Sequence, residues 1–300
     1  MGRRRLLLTG GTGLIGRAVI ERLAGDDELI SLGRTEPPPG AKWLKADLNA
    51  PLNLALLPDS VDAVVCLAQS EHFRDFPQRS QEIFQVNVAS VATALDWARQ
   101  AGARRFVLAS SGGVYGHGEN AFREDDVIGP SGPLGYYLAS KQCAELLTES
   151  YASLFNVVIL RFFFVYGPGQ KRSMLIPRLI DSVRKGHPVT LQGPDGIRLN
   201  PTYVSDAAEA VCHSLELDSS HIINVAGNDV LSLRELALAI GGGVGREPIF
   251  DIRREEVPRH LVADTERMGR LLGPPRVTLQ QGLAAMLRDS DASSLLPGAE

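Results

Sequence analysis

The sequence predicts an α/β fold in which a doubly wound parallel sheet is followed by a smaller C-terminal α/β lobe. Short, almost continuously apolar runs alternate with longer helical patterns in the first half of the chain, as in a sheet buried on both faces. A glycine-rich turn joins the first of these runs to the first helical pattern. After about residue 165 the pattern loosens, and prolines and glycines become frequent.

The predicted elements follow one another in a regular β–α order. The strand-like segments are Arg5–Thr9, Glu28–Leu32, Trp43–Ala46, Ala63–Leu67 and Arg105–Ala109. Helical patterns are clearest at Leu14–Leu23 and Glu82–Gln100, where apolar residues recur at helical spacing. We predict a first domain over residues 1–165, a second lobe over 166–290 with some elements interleaved between the two, and a frayed tail over 291–300.

Composition and charge narrow the class of protein. Of the 300 residues, 44% are hydrophobic and 22% are charged, which supplies enough apolar material for a large core. The 31 basic and 35 acidic side chains leave a net charge of −4, so neither nucleic acid nor an anionic membrane is an expected partner. Three widely spaced cysteines predict reduced thiols in a cytoplasmic protein. The six histidines lack metal-ligand spacing, so no metal site is expected.

The glycine-rich turn lies between the first strand and the first helix. It reads Thr9-Gly10-Gly11-Thr12-Gly13-Leu14-Ile15-Gly16. Glycine lets the backbone turn tightly and approach a pyrophosphate, whose charge then lies at the helix N-terminus. Since the turn opens a βαβ unit, it predicts a dinucleotide-binding (Rossmann) domain, whereas the glycines alone would also suit a plain strand–helix turn. The expected contacts are Gly10, Thr12, Gly13, Leu14, Ile15 and Gly16.

The end of the second strand bears on which dinucleotide binds. A site for NAD usually carries an Asp or Glu there, roughly 20 residues after the glycine turn, to hold the ribose 2′-hydroxyl. This chain has Gly33 and Arg34 instead, and its acidic residues 26–28 precede the strand. Because Arg34 offers a guanidinium to a 2′-phosphate, the sequence favours NADP(H) over NAD(H). The alternative is a solvated arginine on a loop that accepts either cofactor.

A tyrosine and a lysine four residues apart form the candidate catalytic pair. Tyr137 and Lys141 share one face of a helical segment, where a nearby cation would lower the pKa of the Tyr137 phenol. Such a phenol is a usable acid or base near neutral pH. Upstream, Ser110 and Ser111 follow a predicted strand, where a hydroxyl could hold the reacting oxygen. Taken alone, the pair would equally suit a structural tyrosine and a solvated lysine.

The order of these motifs resembles that of the extended short-chain dehydrogenases/reductases, and in particular the NAD(P)-dependent epimerase/dehydratase family. The resemblance runs over about residues 5–285. Its matching segments are the TGGTGLIG turn, Asp47-Leu48, Val65–Ala68, Asn87, SSGGVYG, the Tyr137–Lys141 motif and Arg161–Gln170. Seven matches in register are specific to that family.

The resemblance implies a role for each matching residue. Tyr137 would exchange a proton with a substrate hydroxyl or carbonyl, Lys141 would bind the nicotinamide ribose and tune Tyr137, and Ser111 would hydrogen-bond the reacting oxygen. Further cofactor contacts are implied for Asp47, Leu48, Leu67, Ala68, Asn87, Ser110 and Phe163. The cofactor carries the hydride chemistry while the protein orients it and polarises the C–O bond.

Departures from the family pattern bear on the substrate. The candidate substrate contacts are Ser111, Gly112, Phe164 and Arg198. Gly112 and its neighbour Gly113 stand where dehydratases and decarboxylases of the family carry a carboxylate, so dehydration is disfavoured. Phe164 replaces an asparagine that contacts the substrate diphosphate in nucleotide-sugar members, and a phenyl ring cannot donate that hydrogen bond. Arg198 lies one residue further from the following tyrosine than the usual diphosphate-binding arginine, and a salt bridge between the lobes is its alternative role.

Three functional hypotheses follow. The first is an NAD(P)-dependent epimerase or ketoreductase acting on a nucleotide-linked or otherwise activated sugar. The second is an NADPH-dependent reductase of a non-sugar carbonyl compound, which Phe164 would suit. The third is a catalytically idle dinucleotide-binding sensor, against which the complete set of Ser111, Tyr137 and Lys141 argues.

Two further expectations concern residues outside that set. His117 and Cys143 lie near the active-site segments, and a structural role is favoured over a catalytic one for each. The apolar helices at 82–100 and 137–154 resemble the pair through which family members form a four-helix interface, so a homodimer is expected.

Overall fold

The computed structural model describes residues 3–129 and 134–294. Its strands are β1 (Arg5–Thr9), β2 (Glu28–Gly33), β3 (Ala41–Lys45), β4 (Ala63–Cys66), β5 (Arg105–Ser111), β6 (Asn156–Phe162), β7 (Val189–Gln192), β8 (Arg198–Leu199), β9 (His221–Val225), β10 (Leu231–Ser232) and β11 (Phe250–Arg253). Its helices are α1 (Leu14–Leu23), α2 (Ser80–Phe84), α3 (Ser90–Gln100), α4 (Gly135–Glu149), α5 (Leu175–Lys185), α6 (Val204–Ser214), α7 (Leu233–Val244), α8 (Glu266–Leu271) and α9 (Leu279–Ser294).

A seven-stranded parallel sheet forms the centre of the described chain. Its strand order is β3-β2-β1-β4-β5-β6-β9. The order reverses between β1 and β4, and at such a point the carboxyl ends of parallel strands leave a crevice in which ligands bind. This topology confirms the predicted doubly wound parallel sheet and places a binding crevice directly after β1 and β4.

Two apolar cores lie on opposite faces of the sheet. Successive strand residues point to opposite faces, so Leu6 and Leu8 of β1 enter one core and Leu7 enters the other. The first core is completed by α1 and α6, and the second by α3 and α4. Since both faces are covered, the strands can be apolar along their whole length, as the sequence indicated.

A smaller core lies in the second lobe. It is formed by residues of α5, α7 and α9 together with the short strands β7 and β8. Ser232 caps α7: its Oγ accepts from the Glu235 N–H at 3.1 Å, while its own N–H donates to the Glu235 carboxylate at 2.8 Å. α6 and β9 belong to the central sheet layers although they follow residue 165 in the chain. α9 continues into the predicted tail as far as Ser294, and residues 295–300 lie outside the described part of the chain.

The long helix predicted at Glu82–Gln100 differs from the one observed. Helix begins earlier, at Ser80, and a π-helical turn at Gln85–Ala89 separates α2 from α3. Within this turn the consecutive residues Val86, Asn87 and Val88 are all buried, which a regular α-helical spacing would not achieve on one face. In the described ranges, no helix combines the length and hydropathy needed to cross a bilayer.

Candidate active site

The glycine turn after β1 packs tightly into the crevice between β1 and β4. Gly10 adopts a φ of +77°, and a Cβ on it would lie 2.7 Å from the backbone nitrogen of Ala68. A Cβ on Gly16, in α1, would overlap the carbonyl oxygen of Gly10. The glycines therefore keep the N-terminus of α1 pressed against the turn, where the Gly13 N–H donates to the Gly10 carbonyl at 2.9 Å. These residues fit a pyrophosphate group held at a helix N-terminus.

The remaining residues predicted for this cradle lie around the same turn. Thr12 is exposed, and its Oγ1 accepts from the Thr35 hydroxyl at 3.4 Å. Leu14 and Ile15 are partly buried in the first turn of α1. On the opposite wall, Leu67 and Ala68 continue β4, with the Leu67 N–H donating to the Thr9 carbonyl (3.1 Å) and the Ala68 N–H to the Thr9 hydroxyl (3.3 Å).

At the end of β2, Arg34 lies in an ion pair that the sequence did not predict. Its Nη2 donates to Glu71 Oε1 at 2.8 Å, and Nζ of Lys171 lies 3.6 Å from the other oxygen of the same carboxylate. Glu71 belongs to the loop after β4, and its hydrogen bond raises the pKa of the Arg34 guanidinium. The Gly33 carbonyl accepts from the Trp43 indole N–H at 3.0 Å. The acidic group that the sequence lacks at the end of β2 is therefore supplied by Glu71, from the loop after β4.

Two predicted adenine contacts lie further along this edge. Asp47 accepts a hydrogen bond from the Asn49 N–H at 2.9 Å, and its carboxylate adds negative charge near Arg34. Leu48 is 9% exposed and packs into the core beneath β2 and β4.

Ser111, Tyr137 and Lys141 come together where β5 ends. Tyr137 and Lys141 lie one turn apart in α4, and both side chains are buried. The Tyr137 phenol is hydrogen-bonded with Ser111 and donates to Oε1 of Gln69 at 3.1 Å. Nζ of Lys141 lies 6.0 Å from the centre of the Tyr137 ring and donates to the Ala109 carbonyl at 2.8 Å.

The pKa values of the tyrosine and the lysine are set mainly by burial. Burial raises the pKa of Tyr137 to about 12, and the hydrogen bond with Ser111 opposes this rise. Burial lowers the pKa of Lys141 to about 8, while the charge of Glu145 opposes the fall. The ammonium of Lys141 is directed at the Ala109 carbonyl rather than at the phenol, and burial is the largest cause of the raised pKa of Tyr137. That Lys141 tunes Tyr137 stays a prediction; at neutral pH Tyr137 carries its proton and Lys141 is a cation.

A buried ionic network supports this cluster from below. Glu145 lies one turn after Lys141 in α4, and the hydroxyl of Ser110 donates to its carboxylate. Arg161, on β6, binds the same carboxylate through Nη2 at 2.7 Å and through Nε at 3.1 Å. Arg161 also donates to the Tyr115 hydroxyl at 2.7 Å. The hydroxyl of Ser110 therefore takes part in a hydrogen-bond network that holds the end of β5 in place.

Two predicted cofactor residues are held inside the protein. The side-chain amide of Asn87 accepts from the Ser70 N–H and donates to the Ser140 hydroxyl, both at 2.9 Å. It therefore ties the loop after β4 to α4, beside Tyr137. The ring of Phe163 is 1% exposed and packs against Tyr115 in a core cluster, which leaves it no open surface toward the crevice.

The predicted substrate contacts are only partly brought together. Gly112 opens a 3-10 turn directly after Ser111, and any side chain on it would overlap the ring of Phe163. Phe164 follows β6 and adopts a φ of 42°, a left-handed conformation that costs a phenylalanine backbone strain and that asparagine tolerates better. Arg198 is exposed on β8, and no carboxylate of the described residues lies within salt-bridge distance of it.

Sequence reasoning missed Gln69, which accepts a hydrogen bond from the Tyr137 phenol at 3.1 Å. Gln69 directly follows the β4 strand end, and its position at a carboxyl edge of the sheet was the signal that could have identified it. Cys143 is exposed on α4. His117 is exposed beside Arg259, and partial desolvation of its ring, together with the charge of Arg259, lowers its pKa. Neither makes a described contact with Ser111 or Tyr137, and their predicted structural roles remain predictions.

Known proteins share this arrangement. The model of the NAD dependent epimerase/dehydratase family matches residues 6–226. The UDP-glucuronate 4-epimerase of Thermodesulfobacterium geofontis (strain OPF15) is 26% identical over 75% of this chain and 71% of that protein. The dTDP-D-glucose 4,6-dehydratase of Mus musculus is 30% identical over 78% of this chain and 71% of that protein. The solved structure of MoeE5 in complex with UDP-glucuronic acid and NAD aligns with a TM-score of 0.85 at 29% identity, covering 97% of this chain and 100% of that one.

The family match is not confined to the fold. The matched residues include the glycine turn, Ser111 as the last residue of β5 and the tyrosine–lysine pair of α4, which the structure brings to one edge of the sheet. The chain therefore belongs to the NAD-dependent epimerase/dehydratase family.

Proposed function

We propose that the protein is an epimerase that inverts a hydroxyl-bearing carbon of a UDP-linked sugar, and that it does so with tightly held NAD. The observation that carries this proposal is the meeting of Ser111, Tyr137 and Lys141 at the end of β5, on the same carboxyl edge of the parallel sheet as the glycine turn after β1. Support also comes from the relatives, whose names include a UDP-glucuronate 4-epimerase. C4 of the sugar is thus the reacting carbon in this proposal.

The dinucleotide would lie along the crevice between β1 and β4. The turn from Gly10 to Gly16 would hold its pyrophosphate, and Lys141 would hold its nicotinamide ribose, because only one of the three ammonium donors is used by Ala109. When bound, the dinucleotide supplies a site that takes up hydride from the sugar and returns it to the other face.

The chain's own residues move the proton and hold the oxygen. The hydroxyl of Ser111 would hydrogen-bond the sugar oxygen at the reacting carbon, next to the Tyr137 phenol. As its phenolate, Tyr137 would take the proton from that oxygen while the sugar is oxidised, and the phenol so formed would return the proton while the sugar is reduced. The positive charge of Lys141, whose Nζ lies 6.0 Å from the centre of the Tyr137 ring, would favour the phenolate form, which burial disfavours. The buried surroundings of Tyr137 would exclude water and so strengthen the hydrogen bonds that Ser111 and Tyr137 make to the sugar oxygen.

Dehydration and decarboxylation fit this site less well than epimerisation. Dehydration needs a side chain that removes a proton from the carbon next to the ketone, and decarboxylation needs one that assists loss of the carboxylate there. A carboxylate side chain at position 112 has no space, because it would overlap the ring of Phe163. The buried carboxylates nearby are engaged: Glu145 with Arg161, and Glu124 with the Asn224 N–H. Oxidation followed by reduction at one carbon requires neither.

We propose NAD(H) as the cofactor, in place of the NADP(H) that the sequence favours. Arg34, the basis of the NADP(H) prediction, is neutralised by Glu71. The solved relative MoeE5 is described in complex with NAD. An epimerase also has no need of the cytosolic NADPH pool, because its cofactor returns to its starting state in each cycle.

The second lobe, residues 166–290, would bind the sugar nucleotide, with Arg198 as an exposed cation for its diphosphate. Reduction of a non-sugar carbonyl compound remains the second candidate, and the apolar Phe164 is the observation that favours it.

A homodimer is supported by the exposed apolar side chains Phe84 (47%), Leu146 (59%) and Leu154 (58%) on or next to the helices that the sequence singled out. Free buried thiols at Cys66 and Cys212 support a cytoplasmic location.

The experiment that tests the function is a survey of UDP-glucose, UDP-glucuronic acid and UDP-N-acetylglucosamine, with product sugars separated by chromatography. One of them should be converted to its C4 epimer without added cofactor. Tyr137→Phe should slow conversion by roughly 10²–10⁴-fold because it removes the proton-transferring group. Tyr136→Phe is the matched control: it deletes the neighbouring hydroxyl, which donates to the Ser80 carbonyl at 3.1 Å, and should change the rate little. Equal rates for Tyr137→Phe and the unmodified protein would refute the proposed mechanism.

A further inference from the structure

We propose that Glu71 determines the dinucleotide specificity of this protein, and that its carboxylate excludes NADP(H) by occupying Arg34 at the end of β2. The inference rests on the proposed function only in so far as a dinucleotide lies in the crevice. It assigns to the loop after β4 a task that NAD-binding folds usually give to an acidic residue on the second strand.

Glu71 lies next to Arg34, at the end of β2. Arg34 directly follows Gly33, the last residue of β2, so it stands where the adenosine ribose of a dinucleotide is recognised in this type of fold. Glu71 reaches this place from the next loop of the sheet, with its Oε1 2.8 Å from Arg34 Nη2. Both side chains are partly open, with 60% of Arg34 and 43% of Glu71 exposed, so a ligand can reach both.

The charges around Arg34 disfavour a 2′-phosphate. A 2′-phosphate adds up to about two negative charges, and it needs a free guanidinium to offset them. The charges that face Arg34 are instead carboxylates from separate elements: Glu71, then Asp47 after β3 and Glu82 in α2. Lys171, from the loop after β6, lies 3.6 Å from Glu71 and is shared with it. A phosphate arriving at Arg34 would have to displace one carboxylate and remain close to two others.

A hydroxyl group meets the opposite situation. The ribose of NAD(H) carries no charge at the 2′ position, and a carboxylate can accept a hydrogen bond from its hydroxyl. Glu71 keeps one oxygen shared only with the longer Lys171 contact, so it retains acceptor capacity. The same residue would thus favour the hydroxyl and repel the phosphate, which is how a single side chain produces specificity by both attraction and repulsion.

The test measures dissociation constants of NADH and NADPH for the purified, full-length protein in the absence of any sugar. The unmodified protein should bind NADH more tightly than NADPH. Glu71→Gln keeps the shape of the side chain and removes its charge, so it should tighten NADPH binding by about tenfold, while NADH binding weakens or stays constant. In the double variant Arg34→Gln/Glu71→Gln the gain for NADPH should vanish, because the freed guanidinium is its source.

Asp75→Asn is the matched control. It neutralises a carboxylate of the same loop that pairs with His72 at 2.8 Å rather than with Arg34, and it should leave the ratio of the two constants unchanged. An equal ratio in Glu71→Gln and the unmodified protein, or an unmodified protein that prefers NADPH, would overturn the inference. Binding of neither dinucleotide would overturn the proposed function together with it. Tight NADH binding without turnover of any UDP-sugar would overturn the proposed function alone.

Discussion

Replacing Glu145 by glutamine should destabilise the protein strongly, because the change leaves a buried guanidinium without its counter-charge. The side chains of Glu145 and Arg161 are 1% and 2% exposed, and two nitrogens of Arg161 bind the carboxylate. In Glu145→Gln the partners of Arg161 are all neutral: the amide oxygen of the new side chain, the Tyr115 hydroxyl at 2.7 Å and the Glu124 carbonyl at 3.2 Å. Breaking one side of a buried pair costs about 3–5 kcal/mol, and we expect Glu145→Gln to fall in this range.

Urea denaturation followed by circular dichroism measures that loss of unfolding free energy. Glu149→Gln, one turn further along α4 and exposed, is the control and should change stability by less than about 0.5 kcal/mol. The double variant Glu145→Leu/Arg161→Met should recover part of the loss, since a pair replaced by apolar residues leaves no unpaired charge. A loss of no more than about 1 kcal/mol in Glu145→Gln, the size of one ordinary hydrogen bond, would refute this reasoning.

Three other predictions concern the cleft. Burial raises the pKa of Tyr137 to about 12 and lowers that of Lys141 to about 8, so the pair of phenolate and ammonium becomes more populated up to about pH 8 and is level above it; kcat/KM should rise to about pH 8 and then stay level, and a steep fall between pH 8 and 10.5 would contradict this. Gly16→Ala should weaken NADH binding and cost about 1–3 kcal/mol of unfolding free energy, because its Cβ overlaps the Gly10 carbonyl, whereas Gly242→Ala, with open space around it, should cost nothing. Phe164→Asn should lower KM for a UDP-sugar by restoring a hydrogen-bond donor at a left-handed position, and an unchanged KM would argue for a substrate without a diphosphate.

The central part of the fold could be predicted because its signals are local. The apolar run Arg5–Thr9 and the helical pattern Leu14–Leu23 have the same bounds in the sequence analysis and in the structure. The glycine turn between them follows from backbone sterics, since a side chain at Gly10 or Gly16 would collide with its surroundings. Strand and helix ends elsewhere shifted by a few residues, because burial against distant segments decides where a strand stops.

The site depended more on contacts between segments far apart in the chain. The spacing of Tyr137 and Lys141 correctly placed both on one face of a helix, but the spacing could not reveal that the ammonium is directed at the Ala109 carbonyl. Likewise Arg34 was visible in the sequence, while its partner Glu71 comes from the loop after β4, which the strand order β2-β1-β4 brings near the end of β2. A side chain's charge can be read from sequence, but the neighbour that neutralises it requires the fold.

The most direct measurement of the proposed reaction follows the hydrogen at C4 of the sugar. A UDP-sugar deuterated at C4 is converted in ordinary water, and the deuterium content of the epimer is measured by mass spectrometry and NMR. Oxidation and return of the same hydride within one closed site predict that the epimer retains its deuterium at C4 and takes up no solvent hydrogen at the neighbouring carbons. Loss of the label from C4 would contradict return of the same hydride. Solvent hydrogen at C3 or C5 would show that a proton is removed from a carbon next to the ketone, and would contradict epimerisation by hydride transfer with Tyr137 as the acid and base.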